Sequence, residues 1–403
     1  MDRKLFEFPI SYTTLIGKIG LGWGAHETVA DECQTAGIKK ALITTSGLDG
    51  TGIVDEIQGI LHHRGIATEL FDKVTSNPKD FEVEAAFAIF QQAQCNGVVS
   101  IGGGSSHDCG KGVRALAANS DKKIGDMAAF LDPPWMEKMK TYHPITVPQI
   151  SVNTTAGTGA ESTMAAVIIN SRERFKQVIM VPGLAPTAAL IDPLLIRMMP
   201  RNLAAQTGFD ALAHAFECYI TRLPSRYSRY LMLGSMSLVS QSLREFAYNR
   251  MNSKACEDMC WAESMSGLGL SHGGGVGIVH GFSHGISTLY NVHHGLASAA
   301  VAVPLERYNA ECYPEKFADM ARAMGVDTRG MTTGQAADRW FEEIERLLKD
   351  LDIQTGNLKK QFGVKEEDLE HIILKQYKND FNREGNPRDY NFEECLRLFK
   401  SLL

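Results

Sequence analysis

Two short stretches of the chain concentrate histidine and carboxylate side chains. Gly208 to Glu217 contains Asp210 and His214, and the stretch from His280 to Gly295 contains His280, His284, His293 and His294. Imidazole and carboxylate groups are the usual ligands of borderline divalent ions such as iron, zinc or cobalt. These residue types predict a metal centre built from two segments of the chain.

Helical periodicity supports this prediction but leaves the ligand set open. Asp210 and His214, four residues apart, would lie on one face of a helix, and so would His280 and His284. A single pair of this kind is more often a surface acid and a core histidine, but the additional histidines favour a metal site. Spacing does not decide which histidines of the second stretch are ligands.

Two loops rich in glycine and hydroxyl groups each follow a predicted strand. Gly102 to Asp108 follows the strand 97–101, and Thr154 to Glu161 follows the apolar run 145–152. Such loops can offer backbone N–H groups to phosphate. Because the carboxyl ends of parallel strands meet at one edge, we expect both loops at one ligand site. The second loop lacks the Gly-Lys-Ser/Thr of a P-loop, which disfavours nucleoside triphosphate hydrolysis.

The elements around these motifs change character near Asp192. Before it, short β-like runs alternate with helical stretches, which is typical of βαβ units; the predicted strands are 40–45, 66–71 and 97–101, and the predicted helices are 52–64 and 82–94. After it, the pattern is helical, at 202–220, 228–248, 256–270, 336–351 and 366–378. We predict an α/β nucleotide-binding domain with a parallel, Rossmann-like sheet at 1–192 and an all-α metal-binding domain at 193–403.

Composition narrows the class of partner. A formal net charge of -6 and a pI near 6.1 argue against nucleic acid, because phosphate binding needs a basic face. No run of apolar residues resembles a signal peptide or approaches a membrane span, so no membrane association is expected. The eight cysteines are scattered, as expected for free thiols in a reducing cytoplasm.

Six motifs in order resemble the iron-containing (group III) alcohol dehydrogenase family along nearly the whole chain. They are Gly102–Asp108, Thr154–Glu161, Gly208–Glu217, Gly277–His284, His294–Gly295 and Gly385–Arg388. The resemblance implies an NAD(P)-dependent, divalent-metal-dependent enzyme that interconverts small primary alcohols and aldehydes by hydride transfer. It also implies a cleft site between the two domains and a homo-oligomer.

The resemblance also assigns roles to individual residues. The implied metal ligands are Asp210, His214, His280 and His294, with Fe(II) as the family habit and zinc or manganese as alternatives. His284 would lie beside the nicotinamide and substrate and relay a proton. The implied cofactor contacts are Asn77, Gly103, Gly104, Ser105, Asp108, Thr154, Thr155, Thr158 and Lys176.

Departures from the family pattern bear on specificity. Ser46 stands where most NAD-using relatives have an acid that repels a 2′-phosphate, so we expect NAD but leave NADP open. Ser271 and His272, with Met164, are expected to line the substrate pocket and to make it polar, which favours a short polar or anionic substrate. Lactaldehyde, succinate semialdehyde and sulfoacetaldehyde are examples. Another departure is Gly285, where many relatives have proline after the preceding histidine.

Two other functions are alternatives to this hypothesis. A lyase related to dehydroquinate synthase would share the two-domain plan, but it requires basic residues around its substrate. The segment between Leu268 and Val303 contains no Lys or Arg. A non-catalytic binding protein would have little use for the four ligand types.

Overall fold

The computed structural model describes residues 17–129, 135–222, 225–272, 275–379 and 382–403, except for the side chains of 135 and 374–379. Its first part is built on a sheet. The strands are β1 Lys18–Leu21, β2 Lys40–Thr45, β3 Ala67–Phe71, β4 Gly97–Gly102, β5 Gln149–Asn153, β6 Ala166–Asn170, β7 Phe175–Ile179 and β8 Ala188–Ile191.

Six of these strands form one parallel sheet in the order β1-β8-β5-β4-β2-β3. Every residue of β4 and β5 is buried, as expected for central strands covered by helices on both faces. The chain passes from β2 outward to β3 and then back to β4 on the other side of β2. This reversal creates a crevice beyond the carboxyl ends of β2 and β4, where ligands bind in open α/β sheets.

Helices cover the sheet and make up the rest of the molecule. Those of the first part are α1 Val29–Thr35, α2 Ile53–His63, α3 Asp80–Gln92, α4 Gly104–Ala118 and α5 Trp135–Met139. Those after Asp192 are α6 Pro193–Ile196, α7 Arg201–Ile220, α8 Arg226–Tyr248, α9 Ser253–Ser271, α10 Ile278–Tyr290, α11 His294–Ala310, α12 Pro314–Ala323, α13 Thr333–Asp350, α14 Leu358–Phe362, α15 Glu366–Asn379, α16 Asn382–Gly385 and α17 Phe392–Lys400.

The predicted fold class is confirmed: a parallel, Rossmann-like sheet comes first and a helical region follows. Helix α7 is buried at every position from Thr207 to Ile220, so it runs through the core of the helical region. The antiparallel pair of β6 and β7 was not predicted. All eight cysteines are free thiols, as expected. None of the helices in the described ranges combines the length and the apolar character needed to span a membrane.

Candidate metal and cofactor site

Three helices bring the candidate ligands together. Asp210 and His214 lie one turn apart on the buried helix α7, His280 lies in the first turn of α10, and His294 is the first residue of α11. Potential ligand atoms of Asp210, His280 and His294 all lie within 4.8 Å of one another. The two sequence stretches therefore meet at one point.

Distances define the arrangement of this cluster. Asp210 Oδ1 lies 3.8 Å from His280 Nε2 and 3.7 Å from His294 Nε2. His214 completes the group from the other side: its Nδ1 lies 4.0 Å from Asp210 Oδ2, and its ring centroid lies 4.4 Å from that of His280. One carboxylate thus has three imidazoles around it.

Burial sets the protonation preferences of the cluster. Loss of solvent raises the pKa of Asp210 to about 7, because Lys176, which lowers it, only partly offsets the desolvation. Burial lowers the pKa values of His214 and His294 well below the ordinary value, so these imidazoles are neutral at pH 7. Within the described part of the chain, Asp210 Oδ1 has no hydrogen-bond partner. A buried carboxylate oxygen facing neutral imidazoles fits a divalent cation.

The two other histidines of the second stretch lie beside the cluster. The His284 ring is buried, with its centroid 5.2 Å from that of His294 and 6.2 Å from that of His280. His293 precedes α11 and is half-buried, and burial lowers its pKa to about 4. The geometry thus groups His280 and His294 with Asp210, a choice that spacing alone left open.

The two glycine-rich loops meet at the end of β4 and β5. Thr154 N–H donates to the carbonyl of Gly102 (3.0 Å), and Gly103 and Gly104 form the start of α4. Ser105 Oγ accepts from the N–H of Asn77 (3.3 Å), which adds a third segment to this edge.

The remaining candidate cofactor residues surround the same edge. Thr155 contacts Asn153 through its N–H (3.3 Å), and Thr158 Oγ1 accepts from the N–H of Ala160 (3.3 Å). Ser46 follows β2, the strand next to β4, and is half-buried.

Asp108 is engaged with protein groups that sequence reasoning missed. Its carboxylate accepts from Val167 N–H (2.9 Å) and forms an ion pair with the fully buried Lys111 (3.1 Å). Lys111 also donates to Thr163 Oγ1 (2.9 Å) and to the carbonyl of Ala165 (2.6 Å). A lysine three residues after Asp108 on one helix face was the available signal.

A second missed residue ties the Thr154 to Glu161 loop to the helical region. Glu263, on α9, accepts from Asn153 Nδ2 (2.8 Å) and from Gly159 N–H (3.3 Å). Burial raises the pKa of Glu263 well above its usual range, and burial also raises that of Glu161 in the loop. No local sequence signal links Glu263 to a loop more than a hundred residues earlier.

Lys176 lies between the cofactor loops and the histidine cluster. Its Nζ donates to Asn77 Oδ1 (3.0 Å). Burial lowers its pKa to about 8, and the charges of Asp210 and Asp108 act in the opposite direction. One ammonium group thus responds to carboxylates on both sides.

The candidate substrate residues contact one another near the end of α9. Ser271 Oγ accepts from Met164 N–H (3.3 Å) and donates to the carbonyl of Ser162 (3.4 Å). His272 Nδ1 donates to the carbonyl of Leu268 (2.5 Å), and its ring lies 5.2 Å from that of Tyr227. The Ser271 hydroxyl is therefore already used by the backbone, while among the described residues no hydrogen-bond partner is found for His272 Nε2.

Comparisons with known proteins cover nearly the whole chain. The model of iron-containing alcohol dehydrogenase matches residues 17–193, and the model of the C-terminal region of the Fe-containing alcohol dehydrogenase family matches residues 204–403. Methanol:N,N-dimethyl-4-nitrosoaniline oxidoreductase of a Mycobacterium species is 36% identical over 416 residues, covering 98% of this chain and 96% of that protein.

Another relative and a solved structure agree. NAD-dependent methanol dehydrogenase of Bacillus methanolicus is 32% identical over 384 residues, covering 95% of this chain and 97% of that protein. The crystal structure of a 1,3-propanediol oxidoreductase matches with a TM-score of 0.90 and 33% identity, covering 98% of this chain and all of that one (100%).

Proposed function

The chain belongs to the iron-containing alcohol dehydrogenase family, and we propose on this premise that it interconverts small, polar primary alcohols and aldehydes with a nicotinamide cofactor and a divalent ion. Membership makes it an oxidoreductase that acts on CH–OH groups. The lyase alternative has no support from these relatives. The observation that carries the proposal is the convergence of Asp210, His280 and His294 within 4.8 Å.

The ion is assigned to Asp210, His214, His280 and His294, where it would supply Lewis-acid chemistry toward the substrate oxygen. Iron is the ion in the family's name, although zinc binds such ligands at least as tightly. Burial of the cluster keeps water away from the reacting groups. His284, next to His280 and His294, is assigned to move a proton between the substrate oxygen and solvent.

The cofactor is assigned to the crevice at the ends of β2, β4 and β5. Gly103, Gly104 and Ser105 form the start of α4 at this crevice, where their backbone N–H groups would suit a diphosphate. The 154–158 loop, Asn77 and Lys176 would position the nicotinamide end, since Lys176 is influenced by both Asp108 and Asp210. Ser46 carries no charge to repel a 2′-phosphate, so NADP is chemically compatible with this position. The relatives favour NAD.

The substrate is assigned by the relatives and by His272. Relatives act on methanol and, by name, 1,3-propanediol, which places small alcohols first. Because the Ser271 hydroxyl is held by Ser162 and Met164, His272 Nε2 is the polar atom that would favour a substrate with a second polar group. A diol or a hydroxyaldehyde fits this better than a long aliphatic alcohol.

The test is turnover by metal-stripped protein with Fe(II), Zn(II) or Mn(II) added back. Short alcohols, diols and aldehydes are assayed with NAD(H) and NADP(H) separately. We expect nicotinamide absorbance to change only with metal present and fastest with a small polar substrate. Asp210→Asn should abolish the turnover that added metal restores, whereas Asp338→Asn, at an exposed position of α13, should retain it. Metal-independent turnover, or none with any pairing, would refute the proposal.

We also propose that the protein works in the cytoplasm as a homo-oligomer. Eight free thiols are compatible with a reducing compartment. Sedimentation velocity of the purified protein checks the assembly, and a single monomeric species would contradict it.

A further inference from the structure

Helix α7 carries a third polar side chain on the face that bears Asp210 and His214. Glu217 follows them by seven and three residues, spacings that return to the same side of a helix. It is 1% exposed, and its carboxylate reaches the first turn of α10. Glu217 Oε1 accepts from the N–H groups of Gly277 (3.0 Å) and Val279 (2.7 Å).

The second oxygen of Glu217 binds His280 at two points. Oε2 accepts from the backbone N–H of His280 (3.2 Å) and from its ring Nδ1. Three backbone N–H groups donate to this carboxylate, which marks it as an ionised acceptor, so Nδ1 must carry the proton in its contact with Oε2. Nε2 then retains its lone pair, and it lies 3.8 Å from Asp210 Oδ1.

Asn386 completes the contacts at the start of α10. Its Oδ1 accepts from Ile278 N–H (3.1 Å), and its amide forms a reciprocal pair with that of Asn309 (2.9 and 3.1 Å). Four successive N–H groups at this helix start are therefore bound by side chains. Helix starts with open N–H groups attract anions. In α10 these N–H groups are already bound by Glu217 and Asn386, so they are not open to an anion. The helix therefore contributes its side chains to the site.

We propose that Glu217 is a positioning residue that holds His280 in the orientation and tautomer that direct its Nε2 at the metal, and that Asn386 supports it by fixing the same turn. This inference rests on the proposed role of His280 as a ligand. It gives the Gly385–Arg388 motif a function that its sequence did not indicate. Loss of such a contact behind a ligating histidine typically weakens metal binding by about 10–100-fold.

The first test measures Zn(II) affinity of metal-stripped protein by competition with a chromophoric chelator. Glu217→Gln should weaken binding by about 10–100-fold, because an amide presents a donor where every partner is a donor. Asp192→Asn is the matched control, since Asp192 is also buried, also accepts a helix N–H and also contacts a histidine Nδ1. It should bind Zn(II) like the wild type.

Asn386→Ala separates the ring contact from the helix cap. It removes the Ile278 contact but leaves Glu217 against the His280 ring, so its loss of affinity should be smaller than that of Glu217→Gln. Equal losses in the two variants would overturn the proposal, because capping alone would then explain the effect. Unchanged affinity in Glu217→Gln would overturn it as well.

A second measurement uses the wild-type protein and therefore tests the proposal even if Glu217→Gln does not fold. In metal-free wild-type protein, ¹⁵N NMR of the histidine rings should show that His280 is protonated at Nδ1. The His280 signals are identified by their absence from the spectrum of His280→Gln. Protonation at Nε2 would refute the inference. A wild type that binds no Zn(II) would instead refute the proposed function, so the two failures are distinguishable.

Discussion

Two buried histidine–carboxylate pairs lie at helix starts in this molecule, and they differ in what the second ring nitrogen meets. His280 with Glu217 begins α10, and His26 with Asp192 lies where α6 begins. Asp192 accepts from Leu194 N–H (2.8 Å), from His26 N–H (3.2 Å) and from His26 Nδ1. In both pairs, therefore, one buried carboxylate binds ring Nδ1 together with backbone N–H groups.

The two pairs differ in the groups that face ring Nε2. His26 Nε2 lies 3.4 Å from Oε1 of Glu56, whose side chain is 56% exposed. The hydrogen bond with Asp192 raises the pKa of His26, so that it can carry a proton. His280 Nε2 instead faces the 2% exposed carboxylate of Asp210, with His294 beyond it. A carboxylate bound to Nδ1 of a histidine therefore does not by itself indicate a metal ligand. The groups that face Nε2 determine whether the ring can bind a metal.

The largest expected difference between the two pairs comes from replacing the rings. His280→Gln should lower turnover and metal affinity by more than the roughly 100-fold typical of losing an outer contact, because it removes one of the proposed ligands. His26→Gln should retain both, while losing about 1–3 kcal/mol of unfolding free energy from an imperfectly satisfied buried carboxylate. Metal titration and urea unfolding measure the two effects. Loss of metal binding in His26→Gln would remove the distinction.

A glycine shortly before each of the two histidines sharpens the contrast. A Cβ at Gly277 would lie 2.6 Å from Asn386 Oδ1 and 3.2 Å from Glu217 Oε1. Gly277→Ala should therefore cost about 1–3 kcal/mol and also weaken Zn(II) binding. A Cβ at Gly24, which has φ 85°, would meet only the Glu27 side chain at an ordinary contact distance of 3.8 Å, so Gly24→Ala should cost about 1–2 kcal/mol through its backbone alone. Equal Zn(II) affinity in the two variants would contradict this.

The pH dependence of stability should report the His26 pair. The raised pKa of His26 gives stabilisation that is complete below pH 6.5 and is lost as pH rises through the folded-state value. Burial alone would raise the pKa of Asp192, but hydrogen bonds from His26 and Leu194 hold it below 3.8, so its contribution is lost only in acid. The difference in unfolding free energy between wild type and His26→Gln should shrink as pH rises above 6.5 and through the raised pKa of His26. A constant difference would show that the pair is not ionic.

The smallest effect is expected at Glu56. Its contact with His26 is long and solvent-exposed, so Glu56→Gln should change the unfolding free energy by less than about 0.5 kcal/mol and leave metal affinity unchanged. Thermal unfolding with and without Zn(II) checks both. A shift of several degrees would mean that the far side of His26 contributes more than its exposure indicates.

Local patterns predicted the elements on which the site is built. The strand before Gly102 and the helix carrying Asp210 and His214 both follow from hydrophobic periodicity over a few residues. The β6–β7 hairpin was missed because its turn, residues 171–174, contains neither Gly nor Pro, and Arg174 adopts φ 49°. Lys176, just after this turn, was assigned only through the family resemblance.

Contacts between distant segments could not be predicted from one sequence. His26 and Asp192 are separated by 166 residues and Glu217 and His280 by 63. Glu217 follows Asp210 by seven residues and so shares its face of α7, but nothing local identifies its partner. A glycine-rich run such as 267–285 can reflect close approach to a ligand. In the structure, a Cβ at Gly267 would instead meet protein atoms, at 2.5 Å from Ser162 Oγ, 2.8 Å from the carbonyl oxygen of Gly159 and 2.9 Å from Gly159 Cα.

The distribution of the site over the chain has a consequence for the catalytic cycle. All four candidate ligands lie on helices after Asp192, whereas the candidate dinucleotide contacts lie in the part of the chain before it. A small hinge rotation between these parts would widen the path for the dinucleotide while the four ligands move as one body. Coenzyme exchange would then occur at every turnover without breaking a metal bond, and release of the ion would require local unfolding around α7.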